Sequence, residues 1–171
     1  AGMLSKRIGP LSEDTMGYAM QRQDIEPLFE LGCTIAKRLK RNGVLDSTWA
    51  RGRVVAAVDG IEICSSYSRC CDRCLERKVE KKVDGNISEC LQYYHRISAV
   101  TVVSTPFPVC LGIRFQQDGE TEVACSQSLL QQLVGQLGRR FIDVLVADAL
   151  YLQTPFVGAI EALDFDWVIN L

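Results

Sequence analysis

The chain has 171 residues, of which 47% are hydrophobic and 23% are charged, and its formal net charge is −2. These totals are typical of a globular protein with one sizeable core, and so small a charge gives no argument for nucleic-acid binding by itself. No apolar run approaches the roughly 18 residues of a membrane span, and no signal segment opens the chain. We therefore expect a cytoplasmic protein with no membrane partner.

Residues 1–52 are predicted to form an N-terminal helical region and linker. Residues 1–23 show no clean apolar period, so we expect them to be irregular. A helix is predicted from Asp24, which can cap it, to Asn42–Gly43, and Pro27 stands in its first turn, where proline is tolerated. Apolar residues at three- and four-residue spacing give this helix one buried face: Leu28, Leu31, Ile35 and Leu39.

Two apolar runs that lead into an aspartate organise the core, which is predicted to cover residues 53–171. Val54–Val58 is apolar throughout and precedes Asp59, and the mostly apolar Ile142–Ala147 precedes Asp148. Such runs are typical of strands buried on both faces, and strand ends carry the chemistry of many α/β proteins. We expect the two strands to lie side by side, so that the two aspartates hold one or two Mg²⁺ or Mn²⁺ ions.

Each aspartate also has an ordinary structural interpretation. Asp59–Gly60, between two apolar runs, is a good two-residue hairpin turn, and Asp148 could be a hydrogen-bonded polar residue at a strand end. In the catalytic interpretation, two metal ions roughly 3.5–4 Å apart would activate an attacking hydroxyl and stabilise the leaving oxygen of a phosphodiester. The pattern leaves both interpretations open.

The order of the elements predicts the fold class. Three strands are followed by a helix, a strand, a second helix and a last strand, an order that predicts three antiparallel strands joined to parallel strands covered by helices. This is the layout of a ribonuclease-H-like mixed α/β sheet. The elements after the first strand are predicted at Tyr93–Val103, Val109–Phe115, Asp118–Gly138, Ile142–Ala147, Phe156–Leu163 and Phe165–Leu171.

Eight cysteines in a chain without a secretion signal do not indicate a disulfide framework. Four of them lie among apolar residues, where we expect core packing: Cys33, Cys64, Cys110 and Cys125.

The other four cysteines fall in a charged segment at about residues 64–92, which we interpret as a small Cys-rich insert. Cys71, Cys74 and Cys90, with His95, have acceptable spacing for a structural Zn²⁺ site, and Cys70 is the alternative first ligand. The cysteines could instead be unliganded, or Cys71 and Cys74 could form a redox pair.

Other chemistries find little support in the sequence. His95 is the single histidine, and no nucleophile elbow, phosphate-binding GxxxxGK[ST] loop or GxGxxG motif occurs. We therefore expect no nucleotide cofactor. The insert is locally basic, so a contact with the DNA backbone is one interpretation and a solvated charged segment is the other.

Several of these segments resemble DDE-type insertion-sequence transposases, and the IS-four-like class most of all. The resemblance covers roughly residues 50–171 and rests on Val55–Ile63, Cys74–Arg77, Tyr93–Arg96 and above all Val144–Tyr151. It implies a ribonuclease-H-like core that nicks the ends of a mobile element and joins them to target DNA. It also implies double-stranded DNA as partner, self-association in a transpososome and a nucleoid-associated location.

In that family three carboxylates hold the divalent metal ions. The resemblance assigns Asp59 to the first position and Asp148 to the second, and it places the third, a glutamate, beyond the last strand, outside this chain. Glu161 is not a substitute, because it lies on the predicted helix between two strands. We therefore expect a truncated catalytic core with little or no strand-transfer activity alone. A non-catalytic DNA-binding or regulatory remnant, or a metal-dependent nuclease of the same fold, are the alternatives.

Overall fold

The computed structural model describes residues 12–47, 49–83 and 86–170. Residues 1–11 of the segment expected to be irregular, and Leu171 of the predicted last strand, lie outside this description. The elements are α1 (Glu13–Gln21), α2 (Ile25–Arg41), β1 (Val55–Ser66), β2 (Leu75–Val83), β3 (Asn86–Val102), β4 (Val109–Phe115), α3 (Glu122–Leu137), β5 (Val144–Ala147), α4 (Thr154–Ala162) and β6 (Asp166–Ile169).

The strands form one mixed six-stranded sheet with the order β2-β3-β1-β5-β6. The long strand β3 pairs antiparallel with β1 along one edge; along its other edge it pairs first with β2 and then with β4. Strand β5 runs parallel to β1 and to β6. The predicted α/β class is confirmed, and so are the antiparallel strands at one side and the parallel strands at the other.

The helices α2, α3 and α4 cover one face of this sheet. Alternate residues of β1 enter the core there, and the helices supply the facing side chains. Gly112 of β4 lets α2 approach closely, because a Cβ at that position would lie 2.8 Å from the ring of Phe29. Main contributors to this core are Ala36, Val54, Ala56, Val58, Leu129, Leu133, Leu145, Phe156 and Ile160.

The bounds of helix α2 agree closely with the prediction, whereas α1 was not predicted. The predicted buried face of α2 is wrong, because Leu28, Leu31 and Ile35 are exposed and the helix buries Cys33 and Ala36 instead. Asp24 caps α2 through the backbone N–H of Glu26, and Asn42 ends it. Helix α1 begins after Ser12, whose hydroxyl accepts a hydrogen bond from the Thr15 N–H. Every residue of α1 whose burial is described is exposed, so the helix has no apolar period by which the sequence could reveal it.

The predicted Cys-rich insert at about residues 64–92 is largely part of the sheet. Strand β2 and the first part of β3 form a hairpin across it, with Leu75 opposite Tyr94 and Lys82 opposite Ile87. The buried core cluster includes no residue of this hairpin, and strand β2 carries mostly polar side chains. A strand with so little apolar alternation gives a weak sequence signal.

Two further expectations are corrected, one about Asp59–Gly60 and one about the burial of two cysteines. Asp59–Gly60 is neither a strand end nor a hairpin turn, because Asp59 pairs with Ala99 and Gly60 with Ser98 inside β1. Of the cysteines expected in the core, Cys33 and Cys125 are buried, but Cys64 and Cys110 are exposed. Cys64 lies on the part of β1 that extends beyond the helices.

Candidate metal centres

Asp59 lies within β1, and Asp148 directly follows β5, the parallel neighbour of β1. The register between β1 and β5 pairs Val55 with Val144 and Ala57 with Val146, so that register, extended by two residues, would bring Asp59 level with Asp148. Residues in register share a face of a sheet, and this face is opposite to the one that the helices cover. Continuation of this register beyond β5 is the basis for expecting the two carboxylates near each other.

Both carboxylates are exposed, and each is oriented by its own backbone. Asp59 Oδ1 accepts a hydrogen bond from the Gly60 N–H at 2.8 Å, and Asp148 Oδ1 accepts one from the Leu150 N–H at 3.0 Å. Within the described parts of the chain, neither aspartate forms an ion pair. No cationic side chain neutralises either carboxylate within these residues, so each can offer oxygen atoms to a divalent cation.

Below these aspartates, on the helix-covered side, lies a third carboxylate. The side chain of Glu122 rests against Gly60, where any Cβ would collide with the carboxylate group. Arg96 donates a hydrogen bond to Glu122 at 2.9 Å, and the Tyr151 hydroxyl donates another at 3.2 Å. The glycine after Asp59 is thus required by the close approach of Glu122 to the strand.

Tyr151 connects this carboxylate to the turn that follows Asp148. Its hydroxyl is 2.9 Å from that of Ser126, which donates to Ser98, and its backbone N–H closes the turn on the Asp148 carbonyl at 3.1 Å. Burial raises the pKa of Tyr151 well above its usual range, and the charges of Glu122 and Asp59 act in the same direction. Tyr151 therefore stays a neutral hydrogen-bond donor.

Sequence reasoning missed this support. The sequence signal is weak, because a glutamate near the start of the predicted helix Asp118–Gly138 is explained by the helix dipole and Gly60 by a turn. Glu161, which the sequence excluded as a third ligand, lies on α4 and accepts a hydrogen bond from the Trp167 indole at 3.3 Å.

The second centre contains Cys71, Cys74 and His95. The two sulfurs are 3.8 Å apart, and His95 Nε2 lies 3.3 Å from Cys71 Sγ and 3.5 Å from Cys74 Sγ. Within the described residues, these three form the single group of at least three potential ligands that lie close enough together to share a metal ion. The predicted cluster is therefore present in part, and it could hold a metal such as zinc.

The sheet and a tight turn bring these ligands together. Leu75 pairs with Tyr94, so the preceding Cys74 lies beside the following His95, and the Cys74 N–H bonds to the Cys71 carbonyl at 3.3 Å. Burial acts to raise the pKa of the Cys74 thiol. The backbone hydrogen bonds from Cys71 and Cys70 and the charge of Arg69 outweigh that effect and lower the pKa, which favours the thiolate that metals bind.

Cys90 and Cys70 are not in this group. Cys90 pairs with Val79 in the hairpin, and its thiol donates to the Val79 carbonyl at 3.6 Å. It lies five residues from His95 along β3, at a position that faces the other side of the strand. Cys70 instead contacts the Ser68 carbonyl at 3.5 Å. The four-ligand set expected from the sequence is thus not assembled.

Comparisons with known proteins give no relative for this chain: no family model, no curated protein and no solved structure matches it. Along the described residues, no helix has the length and apolar character that crossing a bilayer requires. The chemistry of the chain therefore has to be argued from its two centres.

Proposed function

We propose that the chain is the catalytic core of a DNA transposase that processes phosphodiester bonds with divalent metal ions. The observation that carries this proposal is the parallel pairing of β1 with β5, whose register, extended by two residues, would bring Asp59 level with Asp148. Paired carboxylate oxygens are the ligands that Mg²⁺ and Mn²⁺ prefer. Metal held there would activate an attacking hydroxyl and stabilise the leaving oxygen.

The strand order supports a ribonuclease-H-like core. Apart from the hairpin strand β2, the sheet has the order β4-β3-β1-β5-β6, with three antiparallel strands followed by parallel ones. This is the layout that the resemblance to insertion-sequence transposases implies, with the first two acidic positions on the central pair of strands. Double-stranded DNA as substrate and self-association in a transpososome belong to the same proposal.

The test of this proposal combines genetic context with substitution. A reading frame that reaches a glutamate after the last strand and is bounded by inverted repeats would support this class of protein. In the product that includes this glutamate, Asp59→Asn and Asp148→Asn should each abolish transposition, and Glu161→Gln should not. Cleavage of transposon ends by purified residues 1–171 with Mg²⁺ would contradict the requirement for a third carboxylate.

Two other functions make different predictions in the same assays. A DNA-binding or regulatory remnant would keep its biological effect after both aspartate substitutions. A metal-dependent nuclease of the same fold would lose activity on substitution but would cleave DNA without joining strands.

For the second centre we propose Zn²⁺ as the bound metal. With usual bond lengths, a tetrahedral zinc ion separates two thiolate sulfurs by about 3.8 Å and a sulfur from an imidazole nitrogen by about 3.6 Å. The corresponding separations among Cys71, Cys74 and His95 are 3.8, 3.3 and 3.5 Å. Metal analysis of reductively purified protein should therefore find one zinc ion per chain.

A further inference from the structure

Three protein ligands leave one vertex of a zinc tetrahedron to be filled. In structural zinc sites that vertex holds a fourth side chain, whereas in open sites it holds water or an exchangeable ligand. In the described chain no fourth Cys, His, Asp or Glu belongs to the group of Cys71, Cys74 and His95. The residues around Cys71, Cys74 and His95 therefore decide what the fourth coordination position faces.

The nearest alternative ligand by sheet geometry is Cys64. It is directly opposite His95 in the pairing of β1 with β3, so the two residues share a face of the sheet. Even so, its sulfur is not in the group of close ligand atoms. Cys64 would have to move to close the site, which makes it the residue to test.

The three ligands line a cavity of about 600 Å³. Residues that follow β4 also line it, among them Gln116, Gln117 and Asp118. The charged side chains of the lining are two arginines, Arg69 and Arg73, and three carboxylates, Asp72, Glu76 and Asp118. Arg69 is paired with Glu76 at 3.2 Å, whereas Arg73 forms no ion pair within the described residues. Arg73 is therefore the cationic side chain of this cavity that can attract a small anion, against the charges of Asp72 and Asp118.

We propose that Cys71, Cys74 and His95 form an open zinc site, whose fourth coordination position faces this cavity and holds an exchangeable solvent molecule that small anions replace. This inference rests on the zinc proposed above. An open site would give the protein a ligand-binding position separate from Asp59 and Asp148. A closed structural zinc would only stabilise the packing of the turn before β2 against β3. Zinc replaces the two thiol protons on binding, and an incoming anion displaces only the solvent molecule.

Cobalt substitution tests the open site, because Co²⁺ takes the place of Zn²⁺ and its visible spectrum reports its ligands. The full chain, purified under reducing conditions, is titrated with Co²⁺ and then with azide. We expect one Co²⁺ per chain, a thiolate-to-cobalt absorption that corresponds to two sulfurs, and a saturable change of the visible bands on addition of azide. Cys71→Ser and His95→Ala should lose tight Co²⁺ binding, and Zn²⁺ should displace Co²⁺ from the parent protein.

Matched variants separate an open site from a closed one. Cys64→Ser, Cys90→Ser and Asp118→Asn should leave the Co²⁺ spectrum unchanged, and Arg73→Gln should keep Co²⁺ binding but weaken azide binding roughly 5-fold. Failure of the parent protein to bind Co²⁺ or Zn²⁺ would overturn both the zinc and the open position. Two results would contradict the open position but not the zinc site. One is a Co²⁺ spectrum with three thiolate ligands that Cys64→Ser reduces to two; the other is bound Co²⁺ whose spectrum does not change when azide is added.

Discussion

Glu122 lies directly against Gly60, so a helix carboxylate is in contact with the strand residue that follows a proposed metal ligand. This contact joins the core to the candidate site. Gly60 neighbours Asp59 in the chain, and Glu122 receives a hydrogen bond from Tyr151, which closes the turn after Asp148. The Glu122 contact and the Tyr151 hydrogen bonds, on the helix-covered face of the sheet, therefore support the backbone next to Asp59 and Asp148.

The contact predicts that Gly60→Ala is destabilising. The added methyl group would displace the Glu122 carboxylate from Arg96 and Tyr151, and overpacking of this kind costs about 1–3 kcal/mol. Urea unfolding followed by circular dichroism measures the change. Gly135→Ala is the matched control, because a Cβ there meets nothing within 4 Å in an exposed position of α3. It should stabilise the protein by about 0.5–1 kcal/mol; a larger loss at Gly135 than at Gly60 would contradict the account.

Tyr151→Phe should remove a hydrogen-bond donor without removing the packing of the ring. The ring contacts Phe156 with centroids 5.0 Å apart, and this contact remains in the variant. Loss of the bonds to Glu122 and Ser126 should cost about 1 kcal/mol of stability. Amide hydrogen exchange should also quicken in the turn after Asp148. Tyr18→Phe, on exposed α1, should change neither quantity, and equal effects of the two variants would count against a role for the Tyr151 hydroxyl.

The ion pair between Arg114 and Glu120 predicts a pH-dependent contribution to stability. Burial acts to raise the pKa of the Glu120 carboxyl, but the hydrogen bond and charge of Arg114 and the Gln117 N–H outweigh it and lower the pKa. A carboxyl with a lowered pKa stabilises the fold above its unfolded-state pKa, and this contribution is lost as the pH falls through the folded-state pKa.

Glu120→Gln should therefore cost about 2 kcal/mol at neutral pH. The difference from the parent protein should shrink below about pH 4, where the carboxyl of the unfolded chain takes up its proton. Urea unfolding at several pH values measures it, with the exposed Asp118→Asn as control. A cost that stays constant down to acid pH would rule out the ionised pair as its source.

Removal of metal should loosen the turn before β2 and leave the main sheet intact. Chelation of zinc should speed amide exchange around Cys71 and Cys74, while amides of the buried strand β5 keep their protection, because the second centre lies outside the helix-covered core. Cys71→Ser should reproduce the chelated pattern and Cys90→Ser should not. Identical exchange with and without chelator would show that no metal orders this turn.

The sequence predicted the parallel pair β1 and β5 because the signals of both strands are local. An apolar run followed by a carboxylate is visible within one segment. The capping residues Asp24 and Asn42 likewise mark the two ends of a helix within one segment. What could not be predicted depends on contacts between distant segments or on surfaces without periodicity. The approach of Glu122 to Gly60 spans two elements, and the hairpin strand β2 is too polar to show an apolar alternation.

The cysteine cluster also combines features that the sequence could predict with one that it could not. The spacing of Cys71 and Cys74 indicated a metal site, and His95 joins them because β2 pairs with β3. Cys90 had acceptable spacing as well, but the alternation of side chains along β3 turns it away from His95. Spacing alone cannot distinguish the two faces of a strand that has not been recognised.

The claim that Asp59 and Asp148 form one cation site is tested most directly by paramagnetic Mn²⁺ in solution. Substoichiometric Mn²⁺ added to the labelled protein should broaden the amide signals around Asp59 and Asp148 together, because the register of β1 and β5, extended by two residues, brings them level. Asp59→Asn or Asp148→Asn should each remove the broadening at both places, and Glu161→Gln should leave it unchanged. Broadening at one aspartate that survives substitution of the other would contradict a shared metal site.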